Sequence, residues 1–199
     1  MKKFTCLMLS LLLCLASVAA FAESIPSKTA ADLTSFDVTA ESLPANSGFF
    51  LRTVKDDETD YQKQLDICKD EIAKLAAAET VEAYFGDETL KEKVGVDKLN
   101  VFEFAPVIAG GYDKSYGKVT AKMLFSTPYE KDEKVVVMIG MVSENTDGTY
   151  AVEWTAYEGK GIEADANQVE NLGRIEVEFD PVIVAAIQDG TALLAIVSD

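Results

Sequence analysis

The chain has 199 residues, 34 of them acidic against 18 basic, for a net charge of −16, and it contains no histidine. Such a surface repels phosphate backbones and anionic membranes, so nucleic-acid binding is disfavoured. The lack of histidine removes the commonest general base, the commonest zinc ligand and both the Ser-His and Cys-His catalytic pairs.

The chain opens with Lys2 and Lys3, then an uncharged stretch over 4–20 with a Leu-rich centre at 7–15. Ala20-Phe21-Ala22 supplies the small-x-small pattern of a leader-peptidase site. Residues 1–22 therefore read as a secretory signal peptide, with cleavage expected between Ala22 and Glu23. Processing removes two lysines and no acids, so the mature chain is more negative still. It also removes Cys6 and Cys14, leaving Cys68 without an intrachain disulfide partner. No second long apolar run follows, so the expectation is a secreted or periplasmic protein with no membrane span after leader removal. The remaining chain, about 177 residues, is long enough to bury a core without staples.

After a Ser/Thr/Ala/Asp-rich start, short strands are expected at 35–39 and 49–54. Over 59–78 the apolar positions Tyr61, Leu65, Cys68, Ile72 and Leu75 recur at spacings of four and three, which predicts one amphipathic helix. Thr59 and Gln62 are placed to form a capping box, and Cys68 falls in the apolar stripe as a small buried hydrophobe. Two short helices are expected at 80–85, stopped by Gly86, and at 88–94, capped by Asp87 and stopped by Gly95. Strands then dominate. They are expected at 100–108, 118–125, 133–142 and 150–157, with a loop at 109–117 and a hairpin turn at Asn145-Thr146-Asp147-Gly148. Residues 133–142 are apolar on both faces, which marks a central strand covered on each side. In 150–157, Val152, Trp154 and Ala156 share a face that points to the core. A polar loop over 159–171 precedes a strand at 173–179. Asp180-Pro181 then starts a short helix, and a last strand runs over 191–197.

Helices in the first half and consecutive strands in the second make an α+β fold. The division is a signal peptide at 1–22, an α-rich region at 23–97 and a β-rich domain at 98–199. The N-terminal helical region would pack on a C-terminal antiparallel β-sandwich of the Ig-like kind, or on a single antiparallel sheet.

No motif names a reaction. Tyr112, Tyr116 and Tyr129 lie in or beside loops, where aromatic faces stack on sugars or anchor protein partners, so they are the candidate ligand contacts. Asp165, Asn167, Glu170 and Asn171 offer oxygen ligands for a weak calcium site, the one metal expected; no other cofactor is expected. The turn at 145–149 has the start of a calcium loop and lacks its later bidentate acid, which favours a plain turn. Paired carboxylates can hydrolyse glycosides without histidine, provided that two acids face each other across a cleft.

Three stretches carry a resemblance. Ile25-Pro26-Ser27-Lys28-Thr29-Ala30-Ala31-Asp32-Leu33-Thr34, Tyr112-Asp113-Lys114-Ser115-Tyr116-Gly117 and Phe125-Ser126-Thr127-Pro128-Tyr129-Glu130 are similar to stretches of uncharacterised secreted bacterial proteins. The resemblance implies a bacterial exported protein and brings no activity, ligand or catalytic residue with it.

The expected function is that of a non-enzymatic exported binding or interaction module for a glycan, cell-envelope or protein partner. The alternative is a structural or assembly component making sheet-mediated protein contacts. A carboxylate-based hydrolase ranks third.

Overall fold

The computed structural model describes residues 28–29, 33–125, 129–163 and 173–199. The strands are β1 (Lys28–Thr29), β2 (Leu33–Ala40), β3 (Phe50–Thr53), β4 (Asn100–Gly110), β5 (Val119–Phe125), β6 (Lys134–Glu144), β7 (Tyr150–Ile162), β8 (Gly173–Phe179) and β9 (Thr191–Ser198). The helices are α1 (Tyr61–Ala77), α2 (Val81–Phe85), α3 (Leu90–Val94) and α4 (Pro181–Asp189), with a 3-10 turn at Lys114–Tyr116.

All nine strands belong to one sheet, ordered β1-β4-β9-β6-β7-β8-β5-β2, with β3 also on β4. Every pairing is antiparallel except β1 with β4. The terminal strands β2 and β3 lie against one another with no ladder between them among the described residues, so the sheet curls almost into a barrel. The strands thus form a single curled sheet rather than the two layers of an Ig-like sandwich. Physically, the hydrogen-bonded order runs unbroken from β4 through β9, β6, β7, β8 and β5 to β2, and β6 and β7 alone pair along eleven consecutive positions. Residues before 98 are also not only helical, since β2 pairs with β5 and β3 with β4.

The two faces of the sheet explain the hydrophobic pattern. On the inner face, Val135, Val137 and Ile139 of β6 meet Leu194 and Ile196 of β9 and Val119 to Phe125 of β5, and α4 adds Ile183, Val184 and Ile187. On the outer face, Val136 and Met138 meet Phe104, Ala195 and Val197 beneath α1, α2 and α3. Covered on both faces, β6 and β9 read as continuous apolar runs. Among the described residues no helix covers the outer sides of β5 and β8, and these strands alternate between buried residues and partly or fully exposed ones.

Local expectations met three corrections. The cap of α3 is Thr89 rather than the expected Asp87, with no side-chain cap bond, and Asp87 accepts from the Thr89 N–H at 2.9 Å. The N-cap of α1 is Asp60 in the left-handed region at φ 71°, with no side-chain cap bond, so the Thr59–Gln62 capping box does not form. Residues 159–162, expected in a loop, extend β7, because all four pair with β8 and the first two pair with β6 as well. The α4 start follows the expected logic: Asp180 accepts from the N–H groups of Val182 at 2.8 Å and Ile183 at 3.0 Å, with Pro181 in the first turn.

Candidate functional site

α1 lies across the outer face of the sheet at the end where the β6–β7 hairpin turns. Ile67 and Cys68 are buried against Leu193, with Val142, Tyr150, Val152 and Trp154 around them. The helix does not bury the stripe that its apolar residues suggest. Ile67, Cys68, Glu71 and Leu75 are buried, while Tyr61, Leu65 and Ile72 are only half-buried. Glu71 is 3% exposed, an acid taken into the interface. Its carboxylate accepts from the Tyr84 hydroxyl at 2.6 Å and from Lys74 Nζ at 2.5 Å. Those donors offset the loss of water that makes an isolated buried carboxylate so costly. Burial and the Glu71 charge push the Tyr84 phenol up from its ordinary pKa.

Between α1 and the hairpin runs a groove with two lobes that share Ile67 and Tyr150. One lobe, of about 170 Å³, is lined by Asp60, Lys63, Gln64, Val142, Glu144 and Thr191 as well. The other, of about 460 Å³, adds Asp70, Glu71, Ala73, Lys74, Gly148 and Thr149. Four acids and two lysines border it, so the groove is negative on balance. Lys63 Nζ stands 5.2 Å from the centre of the Tyr150 ring and 3.3 Å from Glu144 Oε2. Contact with Tyr150 and Glu144 raises the Lys63 pKa. Gln64 Oε1 is shielded from solvent and accepts no hydrogen bond among the described residues. The hairpin itself is a closed turn. Asn145 and Gly148 are bonded across it, and Asp147 accepts from the Thr149 N–H at 3.0 Å and hydroxyl at 2.6 Å.

The three candidate tyrosines do not converge. Tyr112 is 7% exposed. Its N–H donates to Gln188 Oε1 at 2.7 Å and its hydroxyl to the Gly117 carbonyl at 2.5 Å, which ties the loop to α4. Half-buried Tyr116 meets it edge-on at 5.9 Å. Tyr129 packs instead on Phe125, at the other end of the seven-residue β5, roughly 20 Å along the strand. Burial pushes its phenol pKa up. The candidate calcium ligands Asp165, Asn167 and Glu170, and the cleavage pair Ala22 and Glu23, lie outside the described residues. Among the described residues no group of three or more Cys, Asp or Glu side chains is placed to hold a metal ion. Among them, too, no helix is long and apolar enough to cross a membrane.

The groove escaped sequence reasoning because its walls come from distant segments. Lys63 and Gln64 sit on what reads as the solvent side of α1, and Tyr150 reads as the first residue of a strand. The one local signal is Tyr150 itself, an aromatic directly after the hairpin turn. No protein-family model, curated protein or solved structure matches this chain.

Proposed function

We propose that this chain is an exported, non-enzymatic binding protein that contacts a glycan, cell-envelope or protein partner through the groove between α1 and the β6–β7 hairpin. In this reading the leader 1–22 is removed after Ala22 and the mature protein works in the periplasm or outside the cell. The observation that carries it is the groove's construction: an aromatic wall, Tyr150, shared by two recesses whose rims offer carboxylates, ammonium groups, an amide and hydroxyls. An apolar wall with a few convergent polar groups is the usual make-up of a ligand site. Two of its four acids are already engaged, Glu144 by Lys63 and Glu71 by Lys74 and Tyr84, which suits recognition better than proton transfer.

Binding of the purified protein to immobilised glycans, cell-wall fragments and envelope proteins, compared with Tyr150→Leu, tests this. A ligand held by the native protein and lost in the variant is the expected result. Nothing tighter than about millimolar across the whole panel, or equal binding by the variant, overturns the reading.

The second reading, assembly through a sheet edge, is favoured by the β2–β3 seam, where two strands meet without a described ladder. Such an edge can accept another strand. Light scattering after size exclusion separates the two: a strict monomer at high concentration removes self-assembly.

A further inference from the structure

We propose that the smaller lobe of the groove takes a basic side chain, a guanidinium or ammonium group, from a protein or peptide partner, and that Lys63 holds the place of that group when the groove is empty. The inference rests on the reading of the groove as the contact site and names what it recognises.

Three features of the lobe answer to a cation. The Tyr150 ring face carries negative electrostatic potential, and it already has a positive charge 5.2 Å from its centre. Glu144 lies beside the ring, and the same Lys63 ammonium is 3.3 Å from its Oε2. Gln64 lines the lobe, and its Oε1 is shielded from water and accepts no hydrogen bond among the described residues, so a small turn of the amide brings an acceptor that lacks a donor to the lobe. A buried acceptor without a donor is unfavourable, and a group bringing several N–H donors relieves it. A guanidinium has five in a planar fork, which reaches a carboxylate and an amide oxygen at once while stacking on an aromatic face.

Lys63 is suited to be displaced. Its side chain and that of Glu144 are 50% and 57% exposed, and ion pairs that open to solvent are weak. Releasing it to water therefore costs little, while an incoming side chain keeps both the ring and the carboxylate contacts. Asp60 adds a further negative charge at the rim. The net charge of −16 draws basic partners from a distance, which speeds encounter without fixing where they dock.

The test uses a fluorescent tetra-arginine peptide and a neutral tetra-glutamine peptide at low ionic strength. The variants are Lys63→Ala, Lys131→Ala, Tyr150→Leu and the double variant Lys63→Ala/Tyr150→Leu. Lys131, paired with Glu163 and lining neither lobe of the groove, controls for the charge change alone. Lys63→Ala is expected to tighten the arginine peptide about threefold to fivefold relative to Lys131→Ala, the size of one exposed cation–π contact. Adding Tyr150→Leu should cancel the gain while melting temperature and circular dichroism stay native. Equal affinities for Lys63→Ala and Lys131→Ala overturn the proposal, as does a gain that survives loss of the ring, or no binding by any of them. If a glycan from the panel is lost in Tyr150→Leu while the arginine peptide never competes with it, the groove stands as a contact site and the cation inference alone falls.

Discussion

Trp154 stands directly opposite Gly140 across the β6–β7 ladder, and its ring fills the space that a side chain at Gly140 would need. A Cβ at Gly140 would lie 2.7 and 2.8 Å from two indole carbons and 2.5 Å from Val152 Cγ1. The indole is held on its far side as well, edge-on to Phe85 at 5.1 Å and to Phe104 at 5.8 Å. It cannot retreat without breaking those contacts. Gly140→Ala should therefore destabilise the protein by about 1–3 kcal/mol, the usual cost of overpacking. Trp154 is the one tryptophan of the chain, so its emission should shift to the red in the variant. Unchanged emission and an unchanged urea midpoint would show that the space is not closed.

The buried Glu71–Tyr84 bond invites a cycle. Tyr84→Phe removes a donor from a carboxylate that is 3% exposed and leaves it the Lys74 ammonium. Loss of a hydrogen bond to a buried charged group should cost about 1–3 kcal/mol. Glu71→Gln lowers the cost of burial and weakens the bond, so the double variant should lose less than the sum of the singles. Strict additivity in urea unfolding would mean that the hydroxyl and the carboxylate do not act together.

Much of the strand architecture was legible in the residues themselves. The alternation of Val119, Ala121, Met123 and Phe125 marks β5 as a strand with one wet side, and the unbroken run in β6 marks a strand with none. Asp180-Pro181 and the turn at Asn145-Thr146-Asp147-Gly148 are set by short-range chemistry, and both form as expected. What stayed hidden depends on distant partners. Tyr112 sits in a loop and looks available, yet Gln188, 76 residues away, holds it inside. A register shift between Val101 and Glu103 lets Val101 and Phe104 share the outer face, which simple alternation forbids. Glu71 reads as part of a solvated face because its donor, Tyr84, lies on another helix. For the groove, no segment carries more than a fraction of the wall.

Cys68 should be chemically silent in the folded protein. It is 0% exposed, and burial together with the Glu71 charge pushes its thiol up to about 12. A reactive thiol needs access and an accessible thiolate, and this one has neither. A thiol reagent at pH 8 should leave it untouched for hours under native conditions and modify it promptly in strong denaturant. Rapid native labelling would require α1 to open locally from the sheet, and its rate would then measure that opening.

Arg52 and Glu58 give the protein an acid-sensitive joint at the entry to α1. The guanidinium donates to both carboxylate oxygens, Nη1 to Oε2 at 2.8 Å and Nη2 to Oε1 at 2.6 Å, and the Lys55 N–H donates at 2.7 Å. The Arg52 bond, then the backbone donor, hold Glu58 at about 2 against an ordinary 4.5. Because the folded state binds this proton less readily than the unfolded chain, its contribution is fully present above about 4.5. It is lost progressively as pH falls from there toward about 2. Arg52→Met keeps the aliphatic stem and removes the donors, so Glu58 should titrate closer to 4.5. The variant's melting temperature should then fall less steeply with acidification across that window, while wild type and variant converge at its lower end. An NMR carboxyl titration reads Glu58 directly; a wild-type value near 4.5 would remove the joint and the pH dependence together.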